Sequence, residues 1–598
     1  MKQKIYSEGT EKISFRSFPG LDLRYPLDGR RGATEVDNFR IGEDGSLIGR
    51  CGFGNVSSLS ANAVSISDTD SGLWVCTENG KIYPIDRSDG SVPPDEDYEG
   101  GDEEGGITSV VCSDSDIGIT DFGDRLIIGD GTSVKIYDKA TGELRELNGY
   151  APLIGKLWDP NNAGQRFEPE NIASNRVRIS YLISTPTFKL YTGGVWPTSI
   201  DYIEANDEAL DMSEIEFNKS NCAIEGPDGC FPEGIVTVWL TMRAAPQQYM
   251  FAAARHFSVA DLNNGQKLLF AYGLKTATGY KYPYVFRSRE IADPDFYETE
   301  RVYYEADRVY FPMSDRLSAG TGGHPITAVC PLDDRVLVFS DCETFSMPLI
   351  SSYIPTPKMV DQSSGCANAF SFMKLGGSIV TASSDGVFVR TPGNTSYDDI
   401  KSECLSFRLG DKKVFPSDSE MSLYYSKPTD ELFVVGTGFK GGKTAVYNMT
   451  SGCWYTYSGF SPRFMMYCAG MNCFISGAKI FGFSESRVYD VSPTSSAPVA
   501  VSREYRSALL PVADPGKVRR PSRIGLTAAI ENGSATLSLL DAAGNTLSSH
   551  NLTGSPSLPY SSFSVRPSRK RGSFFAFSFS TSSGTPARIF DLMFEAGD

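Results

Sequence analysis

Short stretches in which apolar and polar residues alternate recur along this chain, separated by turns rich in Asp, Ser and Gly. The clearest copy spans residues 326–347 and reads ITAVCPLDDRVLVFSDCETFSM, with turns at Asp333-Asp334 and Ser340-Asp341. Alternation with a period of two residues and many β-branched side chains is typical of strands joined by hairpin turns. The pattern therefore predicts a three-stranded antiparallel unit.

The same unit recurs five more times, at residues 63–85, 117–137, 369–389, 421–447 and 465–489. The copy at 326–347 and the three that follow it start 43, 52 and 44 residues apart, close to the spacing of propeller blades, about 40 to 50 residues. One such unit cannot bury its own apolar faces and must pack against its neighbours. We therefore predict an all-β protein built on a six-bladed β-propeller.

Breaks in this pattern divide the chain into segments. The repeat stops over residues 148–323, which have strands of their own and are predicted to form an inserted β-rich domain that contributes no blade. From residue 507 the strands are joined by Gly, Asn and Ser-Pro turns, which favours a compact β-sandwich. The predicted domains are listed in order: 1–54, an N-terminal arm and closing hairpin; 55–147, the first propeller part; 148–323, the insertion; 324–500, the second propeller part; 501–598, the sandwich.

The hairpin at residues 38–50 alternates around the turn Glu43-Asp44-Gly45. Propellers avoid exposed sheet edges by pairing an N-terminal strand with the last blade. We therefore predict that residues 38–50 pair with the blade at 465–489.

Three motifs near the N-terminus carry a resemblance: GLDLR at 20–24, GATEVDNFR at 32–40 and GSLIGRCG at 45–52. Residues 18–54, here called the signature segment, resemble the N-terminal signature of the propeller-bearing tail nozzle, or tail hub, proteins of short-tailed bacteriophages. Cys51 stands where that family commonly has proline. The matching residues are Gly20, Leu21, Asp22, Arg24, Gly32, Ala33, Thr34, Glu35, Asn38, Phe39, Arg40, Gly45, Ser46, Leu47, Arg50 and Gly52.

The resemblance implies a structural virion protein of the phage tail, assembled in the host cytoplasm. It implies a homo-oligomeric ring, a hexamer, that attaches to adaptor or portal-side proteins and carries tail fibres or spikes. Double-stranded DNA would pass through this ring without specific binding. No catalytic site and no cofactor are predicted, because the sequence has neither a Walker loop nor a dinucleotide-binding fingerprint.

The charge balance bears on that expectation. The net charge is −17, which argues against a protein that grips nucleic acid along a broad basic face. A channel that conducts DNA should repel phosphates, since a basic lining would resist sliding. The candidates for an acidic lumen or surface loop are Asp333, Asp334 and the seven carboxylates of residues 92–106, here called the acidic loop: Asp95, Glu96, Asp97, Glu99, Asp102, Glu103 and Glu104.

The C-terminal domain has the opposite charge. Residues 500–598 carry 11 Lys or Arg and 7 Asp or Glu, so their charge is +4 and that of the remainder is −21. Five of these cations, here called the basic rim, are candidates for docking on an acidic neighbour, and a merely solvated face is the alternative. They are Arg519, Arg520, Arg569, Lys570 and Arg571.

Little else in the sequence indicates chemistry. The three histidines, His256, His324 and His550, fall in different segments, so no catalytic or metal-binding histidine cluster is predicted. The cysteines lack zinc-site spacing, and most lie in apolar strands, as buried free thiols do. No apolar window is long enough to span a membrane, and the N-terminus lacks a secretory signal. Two other classes stay open: a receptor- or glycan-binding propeller, which needs clustered exposed aromatics, and a propeller glycoside hydrolase, which needs converging carboxylates.

Overall fold

The computed structural model describes most of the chain and shows a nearly all-β protein. Among the described residues the helices are Pro246–Ala252 (α) and three short 3-10 turns at Met313–Asp315, Leu405–Arg408 and Phe439–Gly441. The described residues are 10–24, 32–69, 72–92, 117–147, 149–158, 167–262, 267–275, 279, 281–289, 309–319, 324–332, 334–349, 355–396, 398–410, 413–416, 420–492, 497–513, 517–530, 533–554, 560–567, 570–581 and 587–597.

Seven small antiparallel sheets follow one another along this described part of the chain. In each, the strands pair in sequence order as successive hairpins, except that an N-terminal strand completes sheet 7. Their strands are, for sheet 1, Ala63–Thr69, Gly72–Thr77 and Ile82–Pro84; for sheet 2, Gly118–Phe122, Arg125–Gly129, Val134–Asp138 and Leu144–Glu146; for sheet 3, His256–Asp261, Lys267–Tyr272, Tyr284–Arg287 and Arg316–Ser318; for sheet 4, Ile326–Pro331, Arg335–Ser340, Thr344–Pro348 and Lys358–Asp361; for sheet 5, Phe372–Leu375, Ser378–Ser383, Gly386–Pro392 and Ile400–Cys404; for sheet 6, Ser422–Ser426, Glu431–Val435, Thr444–Asn448 and Cys453–Tyr457; for sheet 7, Phe464–Cys468, Met471–Ser476, Lys479–Ser484 and Gly52–Ser58.

Each sheet buries apolar side chains against the next, and sheet 7 does so against sheet 1. Because the last sheet packs on the first, the seven sheets form a closed ring in which the apolar face of each sheet is covered by a neighbour, as in a propeller. The all-β, propeller-like fold is therefore confirmed. Pairs that share a hydrophobic cluster are, in order around the ring, Val64 with Ile119, Ile136 with Phe286, Phe270 with Val338, Leu337 with Ile379, Val380 with Val434, Phe433 with Phe474, and Ile475 with Val75.

The prediction of six blades is wrong, because sheet 3 lies inside the range 148–323 that was assigned to the inserted domain. Sheet 3 packs on sheet 2 on one side and on sheet 4 on the other. The inserted domain therefore ends before residue 256. Sheet 3 escapes the repeat pattern because its second and third strands, Lys267–Tyr272 and Tyr284–Arg287, are separated by 11 residues, and its fourth strand begins only at Arg316.

The closing strand also differs from the prediction. Phe39–Ile41 and Leu47–Gly49 form the expected hairpin, but Leu47–Gly49 pairs with the C-terminal strand Ala587–Gly597 instead of with sheet 7. The strand that pairs with sheet 7 is Gly52–Ser58, along Lys479–Ser484. A Cβ on Gly52 would lie 2.1 Å from the Tyr489 carbonyl oxygen, so glycine is what allows this strand to pass so close to the chain beside it.

The inserted domain spans residues 153–242 and has its own core. Ile179, Leu190, Ile203 and Val238 belong to one cluster that contains no residue of the seven sheets. The domain is therefore packed as a separate unit. It has a five-stranded sheet of Leu153–Trp158, Arg176–Ile183, Gly234–Met242, Pro197–Ala205 and Glu208–Ala209, and a three-stranded sheet of Lys189–Tyr191, Ala223–Glu225 and Glu216–Asn218.

The C-terminal residues form two sheets whose inner faces share one core with sheets 5, 6 and 7. The N-terminal strand Ala33–Asp37 pairs with the second of these sheets and with the Cys453–Tyr457 strand of sheet 6, so that sheet 6 and this second sheet form one continuous sheet of ten strands. The first sheet contains Arg520–Ile530, Ser561–Val565, Ala587–Gly597, the 39–49 hairpin and Thr10–Phe15; the second contains Arg503–Ser507, Leu510–Pro511, Ser534–Leu540, Thr546–Thr553 and Phe574–Thr581; and Tyr489–Val491 pairs with Pro498–Ala500.

Candidate assembly surfaces

The signature segment lies at the junction of sheet 6, sheet 7 and the C-terminal sheets. A Cβ on Gly20 would lie 2.8 Å from both the Cys453 Cβ and the Trp454 carbonyl oxygen, and the Leu21 amide donates to that oxygen at 2.7 Å. Glycine at position 20 is therefore needed for the chain to pass over the last strand of sheet 6.

Arg50 makes the central contact of this junction. Its guanidinium contacts both carboxylate oxygens of Asp490, at 2.6 and 2.8 Å, and the two side chains are only 2% and 5% exposed. Arg50 Nε also donates to Asn38 Oδ1 at 2.6 Å. The Asn38 amide nitrogen in turn donates to the Ser458 hydroxyl and the Ser502 carbonyl. A bidentate, buried pair of this kind fixes the geometry of both partners.

Glu35 makes a second ionic contact of the same segment. Lys440 Nζ and Lys443 Nζ lie 2.9 and 2.8 Å from its carboxylate oxygens, and Lys443 also contacts Asp37 at 3.0 Å. Burial alone raises the pKa of Glu35, but the two lysines outweigh this effect, so its pKa lies below the usual range. Arg50, Asn38 and Glu35 thus hold the chain together internally, which leaves other surfaces to contact partners.

The basic rim is partly brought together by the fold. The Arg519 and Gly572 backbones exchange hydrogen bonds at 2.9 and 3.0 Å, which places Arg519 and Arg520 beside Lys570 and Arg571. Arg520, Lys570 and Arg571 are exposed, and Lys570 lies 3.6 Å from Asp541. Arg569 lies outside the described residues. Four of the five predicted rim residues therefore share one edge of the C-terminal domain.

The predicted acidic surface can be placed only at Asp334. All seven carboxylates of the acidic loop lie outside the described residues, as does Asp333: they are Asp95, Glu96, Asp97, Glu99, Asp102, Glu103 and Glu104. Asp334 contacts the neighbouring Arg335 at 2.7 Å. The hydrogen bond from Arg335 holds the pKa of Asp334 below its usual range.

Exposed apolar side chains are concentrated in and beside the inserted domain. Six of the thirteen exposed large hydrophobic residues found in the described part of the chain fall between 167 and 249. Leu182 and Ile235 are direct partners across two strands, so their exposed side chains lie next to each other. The six residues are Phe167, Leu182, Phe188, Trp196, Ile235 and Tyr249.

A cavity of about 330 Å³ opens at the base of the inserted domain. Trp196, which is 55% exposed, lines it together with polar side chains that include Arg243, Gln247 and Gln248. An aromatic face beside hydrogen-bonding groups is the composition of a small-ligand site.

The structure also brings together residues that the sequence did not connect. His324 Nδ1 lies 2.8 Å from Asp341 Oδ1, and Cys342 Sγ lies within 4.8 Å of both ligand atoms. The signal that could have revealed this cluster is strand register. Ile326 pairs with Ser340, so two residues further out His324 comes opposite Cys342.

No helix in the described part of the chain is long and apolar enough to cross a membrane.

The chain matches no protein-family model and no curated protein. Among solved structures it is similar to the computationally designed Ika8 protein, at 12% identity and a TM-score of 0.29 over 72% of this chain and 100% of that one. It is similar to an AfRom2 CNH domain, at 9% identity and a TM-score of 0.32 over 72% and 99%. It is also similar to the WD40 domain of SCAP from fission yeast, at 8% identity and a TM-score of 0.31 over 75% and 95%. At these TM-scores the similarities carry no argument about function.

Proposed function

We propose that this chain is a structural protein of a phage tail, forming an oligomeric nozzle or hub ring that conducts or retains the genome and attaches other tail components. The observation that carries the proposal is the signature segment. Its motifs resemble the tail nozzle proteins, and Gly20, Glu35, Asn38 and Arg50 all contact one junction between the propeller-like ring and the C-terminal sheets. The residues that carry the resemblance therefore include those that join the propeller-like ring to the C-terminal sheets.

Two surfaces suit the attachment role. The inserted domain is a separately packed unit whose exposed apolar side chains would be covered by another chain. The basic rim offers cations to an acidic neighbour, and the chain outside residues 500–598 has a charge of −21. A ring in which the rim of one copy contacts the acidic body of the next satisfies both charges.

Electron cryomicroscopy of the purified chain, alone and mixed with the adaptor proteins of its tail, tests the proposal. We expect rings with a central channel and six copies, and density for the chain at the distal end of tails isolated from virions. A chain that stays monomeric in both samples and is missing from virions would refute it.

A second candidate function rests on the cavity beside Trp196. An exposed indole beside Arg243 and Gln247 can stack on a sugar ring while these two polar side chains bind its hydroxyl groups. The inserted domain would then bind a host glycan. Glycan-array binding that is lost in Trp196→Ala and kept in Phe188→Ala would support this role, and equal binding by both variants would exclude it.

A further inference from the structure

The cluster of His324, Asp341 and Cys342 lies on sheet 4, at one end of its first two strands. Ser340 pairs with Ile326 across these strands, and the turn that follows Ser340 carries Asp341 and Cys342. The register of a single hairpin therefore brings an imidazole, a carboxylate and a thiol together from two chain segments.

The turn that presents two of these groups is well fixed. The Ser340 amide donates to the Glu343 carbonyl at 3.0 Å, and the Glu343 amide donates to the Ser340 hydroxyl at 2.9 Å. The Ser340 carbonyl accepts from the Cys366 amide at 2.8 Å. A site whose ligands stand on a rigid turn loses little conformational entropy when an ion binds.

We propose that His324, Asp341 and Cys342 form a binding site for a divalent transition-metal ion of the zinc class. Nitrogen, carboxylate oxygen and thiolate sulfur are the three donors that Zn²⁺ takes in proteins.

The spacing fits an ion of this size. Ligand atoms at Zn²⁺ bond lengths in a tetrahedron are about 3.3 to 3.8 Å apart, and the three donor atoms all lie within 4.8 Å of one another. His324 Nδ1 and Asp341 Oδ1, at 2.8 Å, need to separate by about 0.5 Å to reach the shorter of these spacings. The fourth position faces solvent, since the His324 and Asp341 side chains are 41% and 48% exposed.

A metal ion binds cysteine as the thiolate, so uptake of an ion by this cluster would release the proton of Cys342. Glu343 follows Cys342 directly in the sequence and places a further carboxylate next to the cluster.

Cobalt titration of the full chain tests this site, with Co²⁺ as the probe because a Co²⁺–thiolate bond absorbs in the near ultraviolet. After dialysis against a chelator, we expect one equivalent of Co²⁺ to produce that band and Zn²⁺ to abolish it. Cys342→Ser should remove the band, and His324→Ala should weaken Co²⁺ binding at least tenfold.

Cys230→Ser is the matched control, because Cys230 is also a partly exposed free thiol but has no such neighbours among the described residues. This variant should bind Co²⁺ as the parent chain does. Thermal melting checks that each variant folds. If one of the site variants does not fold, Asp341→Asn is used in its place. The proposal is overturned if the parent chain shows no thiolate band, or if the band survives Cys342→Ser. The ring-assembly experiment is unaffected by either result, so the two proposals fail separately.

Discussion

Arg50 connects three stretches of the chain that are far apart in sequence: the signature segment, the strand Tyr489–Val491 and the strand Arg503–Ser507. It is held by Asp490, 440 positions away, and its own carbonyl accepts a hydrogen bond from the buried Arg503 at 2.8 Å. Burial and the neighbouring Arg50 lower the pKa of Arg503 to about 10. The carboxylate of Asp490 thus compensates two buried guanidinium groups, those of Arg50 and Arg503. Removing Asp490 or Arg50 should therefore lower the free energy of unfolding strongly.

Replacing Arg50 by Ala should therefore lower the free energy of unfolding by about 3 to 5 kcal/mol, because Asp490 would be left buried without its partner. The midpoint of urea unfolding, followed by tryptophan fluorescence, measures the loss. Arg87→Ala is the matched control, since Arg87 pairs with Asp68 at 2.5 Å but the two side chains are 40% and 37% exposed. An exposed pair should contribute less than about 1 kcal/mol. Equal losses in the two variants would contradict the assigned role of burial.

The contact of Glu35 with two lysines should make stability depend on pH. Its pKa in the folded chain lies below the unfolded value, so its contribution is fully present above the unfolded pKa, about 4.3. That contribution is lost as pH falls through the folded pKa. Glu35→Gln should therefore be less stable than the parent chain at pH 6, with the difference shrinking on acidification. Melting temperatures measured between pH 3 and pH 6 test this, and a difference that does not change with pH would disprove it.

The local structure of the signature segment could largely be predicted from its sequence, whereas most contacts at its junction with the rest of the chain could not. The turn at Gly45, with φ of +77°, and the hairpin around it follow from the sequence pattern. The partners of that hairpin do not, because Arg50 meets Asp490 and Asp44 meets Arg588 only after the whole ring has closed. The His324 cluster was missed for a related reason, since register, not sequence spacing, makes those three residues neighbours.

At the scale of elements, sheet 3 and the inserted domain show what a repeat pattern can and cannot identify. The pattern identified the six sheets whose first three strands are close together in sequence. It missed sheet 3, whose strands are spread from His256 to Ser318. The two elements were merged because only packing separates them: sheet 3 shares cores with its neighbours, and the inserted domain does not.

That difference predicts two deletions with opposite results. The Met242 amide donates to the Asn175 carbonyl at 2.7 Å, so residues 176–241 can be replaced by a short Gly-Ser turn without moving either end. The strand Leu153–Trp158 is replaced by a Gly-Ser linker as well, because the strand that it pairs with, Arg176–Ile183, is removed. The product should stay soluble and unfold cooperatively, as judged by circular dichroism and gel filtration. Removing residues 256–318 should instead give an insoluble or unfolded chain, because sheets 2 and 4 would lose their shared partner. A folded product of the second deletion would contradict the closed seven-sheet ring.

The closing strand makes a second prediction at this scale. Phe53 is fully buried, and its ring lies 4.9 to 5.9 Å from those of Phe460, Phe474, Phe481 and Phe483. Phe53→Ala should cost about 3 to 5 kcal/mol of unfolding free energy, by lost transfer energy and the cavity left behind. Phe188→Ala, at a side chain that is 49% exposed, should change it by about 0.5 kcal/mol or less. Thermal denaturation of the two variants measures these losses. A loss for Phe53→Ala as small as that for Phe188→Ala would show that the stability of the ring does not depend on the strand Gly52–Ser58.

At the scale of the whole molecule, charge separates the two ends of the chain. The −21 outside residues 500–598 exceeds what solubility needs. The +4 of the C-terminal residues includes the basic rim, and the four rim residues that the structure describes lie on one edge. If the ring conducts DNA, the acidic surface should face the channel and the basic rim should face outward or contact a neighbour, since phosphates would otherwise bind to the wall.

The last prediction follows from this arrangement and concerns the acidic loop. Changing its seven carboxylates to Asn or Gln removes seven negative charges from each copy, and if they face the channel this should slow DNA release from virions or make the isolated ring retain linear DNA at low salt. The matched control neutralises the same number of exposed carboxylates on the inserted domain, which should leave DNA release unchanged. Those residues are Asp207, Glu208, Asp211, Glu214, Glu216, Asp228 and Glu233. Release kinetics that are equal in the parent and the acidic-loop variant, together with a channel wall rich in Lys and Arg in the assembled ring, would show that repulsion plays no part in passage of the genome.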